Sequence, residues 1–311
     1  MTHTAGLPGG MHFARGGTNA IMNSTSPGEI ADAMVEHDVT HLFLPPTVLY
    51  MLLALPDIRE RDYSALRHFL VGAAPTSLEK LKEAIDVFGP VMTEAFGQSE
   101  APASVTAKAP WDYLDAEGNI IDARLHSIGR PCVFNIVAIL DDGGNEQPRG
   151  EAGEICVRGD LVSPGYYKNP EATAEVREFG WHHTGDVGVM SDDGYVTIVD
   201  RKKDMIITGG FNVFPNEIEQ VLSTHSAVQE CAVIGVPDDK WGEAVKAVVQ
   251  LKPGQECSDQ DLIALVKDEL GSVKAPKSVD FIEQLPRSAV GKVLKVDLRK
   301  QYWEGQARAV N

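Results

Sequence analysis

The first third of the chain alternates between helix-like and strand-like patterns of apolar residues. Residues 26–29 (Ser-Pro-Gly-Glu) form a predicted capping box with proline at the first helical position, and apolar residues recur at helical spacing after it. Residues 76–79 predict a second capping box, which opens a helix that runs towards Phe88. Apolar runs at 39–44 and 91–96 predict buried strands, so we expect a parallel sheet covered by helices.

Between residues 127 and 199 the pattern changes to short β-branched runs. The runs at 135–140, 154–158 and 195–199 are separated by Asp-Gly and Gly-Gly pairs at 142–144 and 193–194. Such pairs favour tight hairpin turns. This segment is therefore predicted to be a small antiparallel β subdomain.

The charged run at residues 200–204 is the predicted domain boundary, because the pattern changes again after it. Apolar periodicity beyond this run predicts a compact α+β domain. The predicted helices lie at 215–223, from the Ser258 cap to residue 270, and at 295–303, and the predicted strands lie at 228–236 and 244–251.

Together these segments predict the α/β fold class. The expected parts are a partial α/β large domain (residues 1–126), a β-rich subdomain (127–200) and a small α+β C-terminal domain (201–311). The chain has 311 residues, of which 43% are hydrophobic, and this is enough for one large core or two to three smaller ones.

The chain is strongly acidic, with 28 Lys and Arg against 45 Asp and Glu and a formal net charge of −17. Binding to nucleic acid and docking on anionic lipid both need clustered cations, so neither is expected. The first residues lack the basic and apolar regions of a signal peptide, and prolines interrupt the apolar run at 42–55. No membrane span is predicted, and the expected location is the cytoplasm.

Cysteine and histidine spacing gives no sign of a metal site. The four cysteines form no CxxC pair, so we expect reduced cysteines and neither a zinc knuckle nor a disulfide framework. His182 and His183 are adjacent, and on a strand they would point to opposite faces.

Phe96, Gly97, Ser99 and Glu100 follow a predicted strand, where ligands of parallel sheets bind. Gly97 would let a phosphate approach the backbone, Ser99 offers a hydroxyl donor, and Glu100 offers oxygen ligands for Mg²⁺. An ordinary polar turn explains the same residues equally well.

Four further motifs each allow a chemical and a structural interpretation. The small residues at 72–75 would let a flat ring lie against the backbone, or they form an ordinary strand-to-helix turn. Asp186 would hold a ribose diol or close a turn, and Asp200-Arg201 is a nucleotide clamp or a surface ion pair. Lys292 lies in a loop that fails the Walker A pattern, and a solvated surface lysine is the favoured interpretation from these residues alone.

The order and spacing of these motifs together resemble the adenylate-forming acyl-CoA synthetase family, whose members include firefly luciferase and the adenylation domains of peptide synthetases. The resemblance spans most of the chain. The matching stretches are residues 72–75, 95–100, 153–159, 165–171, 181–186, 200–204 with 209–210, and 285–292.

The resemblance implies a two-step ligase reaction. A carboxylate attacks the α-phosphate of ATP and gives an acyl-adenylate and pyrophosphate. A thiol, usually that of coenzyme A, then displaces AMP. The implied cofactors are ATP, Mg²⁺ and coenzyme A, and the expected substrate is a fatty or aromatic carboxylic acid that the sequence does not name.

The resemblance also implies roles for individual residues. Glu100 would bind Mg²⁺, Lys292 would stabilise charge on the phosphate oxygens during adenylation, and His3 would lie near the acyl and pyrophosphate sites. The C-terminal domain would be mobile and turn about Lys203, and Gly209-Gly210 would line the pantetheine channel. The implied nucleotide-binding residues are Gly72, Ala73, Ala74, Pro75, Ala95, Phe96, Gly97, Ser99, Asp186, Ile198 and Arg201.

The sequence contains no match to the family's Ser/Thr/Gly-rich loop, whose lysine wraps the β- and γ-phosphates. We therefore expect the chain to be the C-terminal portion of a longer ligase and to make no acyl-CoA alone. Two other interpretations stay open: an adenylation domain that loads a carrier protein, and a catalytically silent binding module descended from a ligase. The oligomeric state is also open, with a homodimer as one candidate.

Overall fold

The computed structural model of the protein describes residues 6–72, 76–287 and 293–303. The chain divides into two compact units: unit 1 comprises Met1–Thr184 and Gly188–Ile198, and unit 2 comprises Gly185–Val187 and Val199–Asn311. Among the described residues, no helix has the length and apolar character needed to cross a membrane.

The described helices and strands alternate in unit 1 and mix in unit 2. The helices are α1 (Gly6–Ala14), α2 (Pro27–Glu36), α3 (Pro46–Leu53), α4 (Leu78–Phe88), α5 (Asp122–Leu125), α6 (Pro170–Glu175), α7 (Pro215–Ser223), α8 (Asp259–Leu270) and α9 (Lys295–Lys300). The strands are β1 (His41–Leu44), β2 (His68–Val71), β3 (Met92–Gln98), β4 (Ala101–Lys108), β5 (Arg130–Pro131), β6 (Ile136–Leu140), β7 (Gly153–Arg158), β8 (His182–Met190), β9 (Val196–Arg201), β10 (Ile206–Thr208), β11 (Phe211–Val213), β12 (Val228–Asp238), β13 (Gly242–Leu251) and β14 (Ser278–Phe281).

Unit 1 contains a five-stranded sheet in the order β1-β2-β3-β4-β5. β1, β2 and β3 run parallel, with Val71 opposite both Leu44 and Glu94. β4 and β5 are antiparallel to their neighbours, so the prediction of a parallel sheet is wrong at this edge. The reason is the connection from β3 to β4, which consists of Ser99 and Glu100, because so short a turn joins antiparallel strands only.

Helices α2, α3 and α4 pack on this sheet through the apolar faces that the sequence pattern predicts. Leu49, Leu52, Phe69, Leu81 and Met92 are all fully buried in their common cluster. Burying a side chain of this size contributes about 1.5–3 kcal/mol relative to leaving it exposed. This cluster therefore fixes the strand ends on which the candidate site is built.

Both capping boxes predicted in unit 1 are wrong in detail. α2 begins after Ser26 as predicted, but the Ser26 side chain makes no capping hydrogen bond within the described structure. α4 begins at Leu78, so its N-cap is Ser77, a residue later than the predicted Thr76. The Ser77 backbone N–H donates instead to the Tyr50 hydroxyl at 2.6 Å, so a side chain from α3 satisfies this helix end.

A four-stranded sheet in the order β6-β7-β8-β9 forms the β-rich part of the chain. β6 and β7 are antiparallel, with Ala138 opposite Cys156, and this confirms the predicted hairpin. β8 was not predicted, because Gly185, Asp186 and Gly188 are residue types that strands disfavour.

Unit 2 contains a sheet in the order β11-β10-β13-β12, with β14 paired to β13. α7 and α8 bury Ile218, Leu222 and Leu262 in a cluster with β12 and β13. α7 has the predicted bounds, and Ser258 with Asp261 forms the predicted capping box of α8. α9 ends at Lys300, before the predicted residue 303.

Candidate functional site

The carboxyl ends of β2 and β3 bring two predicted adenine-binding residues together. Gly72 directly follows β2, and Ala95 lies on β3 next to the pair Val71–Glu94. A Cβ atom added to Gly72 would lie 3.6 Å from the Ala95 carbonyl oxygen and 3.8 Å from Phe43 Cε2. The absent side chain leaves a shallow notch at the sheet edge, and a flat ring can pack against such a surface.

Ser99 and Glu100 form the two-residue turn between β3 and β4. Ser99 is exposed, and the Glu100 carboxylate accepts a hydrogen bond from the Tyr166 hydroxyl at 2.7 Å. That hydrogen bond raises the pKa of Tyr166. The Ser163 N–H donates to the Glu100 carbonyl at 2.7 Å, so both ends of Glu100 are held in place.

Phe96 and Ile198 are partly buried against one apolar cluster of unit 1, which includes the fully buried Val105 and Ile155. Gly97, beside Phe96, is exposed. Core packing therefore accounts for the apolar character of Phe96 and Ile198, whatever further contacts they make.

Several predicted site residues lie outside the part of the chain that the structure describes. They are His3, Ala73, Ala74, Pro75 and Lys292. On either side of the Lys292 segment, Arg287 and Val293 form an antiparallel bridge, and the Leu294 N–H donates to the Pro286 carbonyl at 2.8 Å. The described flanks of this loop thus meet at its base.

In unit 2, Asp186 and Arg201 form an ion pair. Arg201 Nε lies 2.7 Å from Asp186 Oδ1, and the side chains are 48% and 4% exposed, respectively. The sequence suggested a pair within Asp200-Arg201, but the partner of Arg201 is Asp186. A buried carboxylate beside a half-exposed guanidinium combines an acceptor with donors, as recognition of a ribose diol requires.

Asp200 fixes the backbone where β9 ends. Its carboxylate accepts the Arg201 N–H at 2.7 Å and the Asn216 N–H at 2.8 Å. Burial raises the pKa of the Asp200 carboxyl, although Lys295 and the two N–H groups act in the opposite direction.

An ion pair connects the segment that contains Lys203 to α9. Lys203 is exposed on the short 3₁₀ turn Lys202–Asp204, and Asp204 pairs with Arg299 at 2.8 Å. Lys295, one turn earlier on α9, pairs with Glu219 at 2.7 Å. Sequence reasoning missed both basic residues of α9, and their i,i+4 spacing was the one available signal.

Gly209 and Gly210 form the tight turn between β10 and β11, with φ of +57° and +83°. Two successive positive φ angles are typical of a type I′ hairpin, which favours glycine. A Cβ on Gly209 would lie 2.7 Å from Trp241 Cε3, and the Gly209 N–H donates to the Trp241 carbonyl at 2.8 Å. Glycine at position 209 therefore also has a local packing reason.

A buried ion pair next to Ala95 was likewise missed. Lys108 Nζ lies 2.7 Å from Glu94 Oε2, and the same carboxylate oxygen accepts the Tyr113 hydroxyl at 2.7 Å. Lys108 is completely buried. The pair joins β3 to β4 directly behind the candidate site.

Comparison with known sequences identifies the family. The profile described as AMP-binding enzyme matches residues 1–167, which is more than half of the chain. The profile described as AMP-binding enzyme C-terminal domain matches residues 217–292. The chain belongs to the family of AMP-binding enzymes. The resemblance to adenylate-forming enzymes is thereby confirmed.

Curated AMP-binding enzymes resemble this chain along nearly all of its length. A medium/long-chain fatty acid–CoA ligase of Mycobacterium tuberculosis is 43% identical over 95% of this chain and 52% of its own length. A feruloyl-CoA synthase of Amycolatopsis is 38% identical over 93% of this chain and 57% of its own length. The chain thus spans about half the length of these relatives.

Solved structures of similar enzymes share the fold. ATP-bound MatB from Rhodopseudomonas palustris matches with a TM-score of 0.86 and 32% identity, over 96% of this chain and 58% of that one. The o-succinylbenzoate CoA synthetase (MenE) of Bacillus subtilis, in complex with the acyl-adenylate intermediate OSB-AMP, matches with a TM-score of 0.84 and 28% identity, over 99% of this chain and 60% of that one. These matches confirm the predicted α/β fold class.

Proposed function

We propose that this AMP-binding enzyme is an acid–thiol ligase. In this reaction a carboxylic acid and ATP give an acyl-adenylate and pyrophosphate, and coenzyme A then displaces AMP to give the acyl-CoA. Relatives described as a fatty acid–CoA ligase and a feruloyl-CoA synthase support this reaction class. They also support a fatty or aromatic acid as the substrate.

The observation that carries the proposal is the arrangement at the ends of the parallel strands. Gly72 lies beside the Ala95 carbonyl, and the Ser99–Glu100 turn closes the adjacent hairpin. Ligands of open α/β sheets bind beyond the carboxyl ends of strands, where glycine lets a ligand approach the backbone. This notch suits an adenine ring, and the turn offers polar groups to the phosphates.

We assign the other roles as the sequence predicts them. Ser99 would donate to the α-phosphate, and Glu100, which the Tyr166 hydroxyl orients, has the oxygen ligands that Mg²⁺ prefers. Mg²⁺, when bound, would neutralise phosphate charge. The proposed nucleotide-binding residues are Gly72, Ala73, Ala74, Pro75, Ala95, Phe96, Gly97, Ser99, Asp186, Ile198 and Arg201.

The remaining assignments concern both halves of the reaction. Lys292 would hold phosphate oxygens during adenylation, with His3 on the acyl and pyrophosphate side. Lys203 would be the hinge of a mobile domain 201–311, and Gly209-Gly210 would line the path of coenzyme A. The division into 1–126, 127–200 and 201–311 and a cytoplasmic location belong to the same proposal.

Nucleotide binding tests the proposal most directly. We expect AMP to bind the purified chain more tightly than 2′-deoxy-AMP in calorimetry, because a buried carboxylate that loses its donor costs about 1–3 kcal/mol. Asp186→Asn should remove most of this difference. Asp239→Asn, an exposed aspartate of the same unit, is the matched control. Equal affinities for the two nucleotides would remove Asp186 from the site.

The two half-reactions separate the ligase from its alternatives. In the complete enzyme, Lys292→Ala should slow acyl-adenylate formation by about 10²–10³-fold and spare thioester formation from a supplied adenylate. Equal slowing of both steps would contradict the assignment of Lys292. Transfer to a phosphopantetheinyl carrier protein in preference to coenzyme A would favour a carrier-loading enzyme, and nucleotide binding with neither step would favour a silent binding module.

A further inference from the structure

Three side chains with different donor atoms converge in the β-rich part of unit 1. His183 Nδ1 lies 3.0 Å from Glu154 Oε2 and 3.4 Å from Cys156 Sγ. All three donor atoms lie within 4.8 Å of one another. Glu154 and Cys156 are buried, and His183 is nearly so. These residues take no part in the proposed ligase reaction.

The strand pattern explains the convergence. Glu154 and Cys156 are two residues apart on β7, so they point to the same face of the sheet. β8 is the neighbouring strand and carries His183. His182 points to the opposite face, where its surroundings include Glu100 and Arg177. The adjacent histidines thus belong to two different environments, as their spacing predicts.

The geometry does not suit a cysteine nucleophile. In a Cys-His-Glu triad, one ring nitrogen activates the thiol and the other nitrogen donates to the carboxylate. Here both Cys156 Sγ and Glu154 Oε2 approach the same nitrogen, Nδ1. Cys156 is also completely buried, so no substrate reaches its sulfur.

The Glu154 carboxylate and the Cys156 sulfur both approach one ring nitrogen of His183. A single proton on Nδ1 serves one of these two atoms at a time, and the thiol is a weak donor of its own. His183 Nε2 is buried and finds no hydrogen-bond partner among the described residues. The polar contacts of the ring therefore concentrate at Nδ1.

We propose that Glu154, Cys156 and His183 form a binding site for a divalent transition-metal ion, with Zn²⁺ as the preferred ion. Thiolate, imidazole and carboxylate are the donors that bind Zn²⁺ in proteins, at about 2.3 Å for sulfur and about 2.0–2.2 Å for nitrogen and oxygen. Around a tetrahedral ion such bonds place the donor atoms about 3.3–3.6 Å apart. The 3.4 Å separation of Cys156 Sγ from His183 Nδ1 falls in this range, and the 3.0 Å separation of Glu154 Oε2 from the same nitrogen is shorter than the range.

Three protein ligands would join β7 to β8 through the ion, and water would complete its four-coordinate shell. β8 carries Asp186 a few residues after His183. Binding requires the thiolate form of Cys156, so uptake of the ion releases a proton. The site would therefore stabilise the strand that leads to the proposed ribose contact without itself touching the nucleotide.

Cobalt binding tests the site in the purified chain after removal of metals with a chelator. We expect one equivalent of Co²⁺ to give a thiolate-to-cobalt charge-transfer band, and Zn²⁺ to displace it. Zn²⁺ should also raise the melting temperature. Cys156→Ser should abolish the band, and Glu154→Gln should weaken Co²⁺ binding by at least about 10- to 100-fold, the loss seen when an outer partner of a metal ligand is removed.

Cys132→Ser is the matched control, because Cys132 is a half-buried cysteine of the same unit and should leave the band unchanged. Absence of a thiolate band in the wild-type chain, or its loss in Cys132→Ser instead of Cys156→Ser, would overturn the proposal. The wild-type spectrum decides the question even if Cys156→Ser fails to fold. In that case the Co²⁺ affinity of Glu154→Gln, a variant that keeps the side-chain shape, tests the site.

Discussion

Lys108 in unit 1 is a buried lysine and Lys295 in unit 2 is a partly buried one, and each pairs with a glutamate at 2.7 Å. The side chain of Lys108 is 0% exposed and that of Lys295 is 17% exposed. Besides Glu94, Lys108 donates to three neutral carbonyl groups, those of Arg124, Leu125 and Ser127. Lys295 pairs with Glu219 and also lies near the carboxylates of Asp200 and Asp204.

The two lysines consequently titrate in opposite directions. Burial lowers the pKa of Lys108, and the carboxylates of Glu94 and Asp112 do not outweigh it. Burial also acts to lower the pKa of Lys295, but Glu219 and Asp200 together raise it above its usual value. The number of carboxylates around a buried ammonium, more than burial itself, decides which form the fold favours.

The largest expected effect is that of Lys108→Ala. It removes the cation that pairs with Glu94 and one donor from each of the Arg124, Leu125 and Ser127 carbonyls, and breaking a buried pair in this way costs about 3–5 kcal/mol. Hydrogen exchange read by mass spectrometry should show faster exchange of the β3 and β4 amides, with unit 2 unchanged. Unchanged protection of β4 would mean that the pair contributes nothing to the sheet.

Lys295→Ala should have a smaller effect, about 1.5–3 kcal/mol. The carboxylates it leaves behind keep backbone donors: Asp200 keeps the Asn216 N–H, and Glu219 keeps the Val233 N–H. Faster exchange is expected in α7 and around residues 200–204. A loss as large as that of Lys108→Ala would contradict the view that these N–H groups still stabilise the carboxylates.

The free energy of unfolding should rise with pH where Lys108 titrates and fall with pH where Lys295 titrates. The folded-state pKa of Lys108 lies below the usual lysine value of 10.5, so its stabilising contribution is complete above 10.5 and is lost as pH falls. The raised pKa of Lys295 means that its contribution is complete below 10.5 and is lost only at higher pH.

As pH rises towards 10.5, the stability of wild-type unit 1 should therefore increase through deprotonation of Lys108 in the folded state, with a slope of at most about 1.4 kcal/mol per pH unit. Lys108→Met should remove this slope, and Lys295→Met should leave the slope of unit 2 unchanged. Urea unfolding in the presence of a chelator, followed by thiol labelling of Cys156 in unit 1 and Cys231 in unit 2, measures both slopes. These cysteines are buried, so labelling requires opening.

The smallest expected effect is that of Lys82→Ala, which removes an exposed ion pair of unit 1. Lys82 and Asp122 are 2.7 Å apart, but their side chains are 51% and 76% exposed. Solvent screens such pairs, so we expect a loss of about 0.2–1 kcal/mol in the same exchange experiment. If Lys82→Ala lost as much stability as Lys108→Ala, burial would not be what distinguishes strongly stabilising ion pairs from weak ones.

Local sequence patterns predicted much of the fold. The bounds of α7 and the Ser258–Asp261 capping box follow from apolar periodicity and capping residues, because both depend on neighbours within one helix. β8 escaped prediction, because Gly185, Asp186 and Gly188 disfavour strands and pairing with neighbouring strands overrides that preference.

The candidate site likewise has some features that the sequence predicts and others that it does not. The position of Gly72 at the end of one parallel strand and Ala95 on the next was predictable from the alternating pattern and the motif order. The contact of Tyr166 with Glu100 and the pairing of Arg201 with Asp186 were not. Each joins residues from distant parts of the sequence, and no local pattern says which donor meets which acceptor.

The sequence by itself determined the α/β class, the AMP-binding family and the candidate residues of the proposed nucleotide site, because these depend on local propensity and on the order of motifs. Only the tertiary structure decided the partners of the buried charges. It placed Lys108 among neutral carbonyls, Lys295 among carboxylates, and Glu154, Cys156 and His183 around one point. The physical reason is that burial makes a charge depend on every group within a few ångströms, and strand pairing chooses those groups from anywhere in the chain.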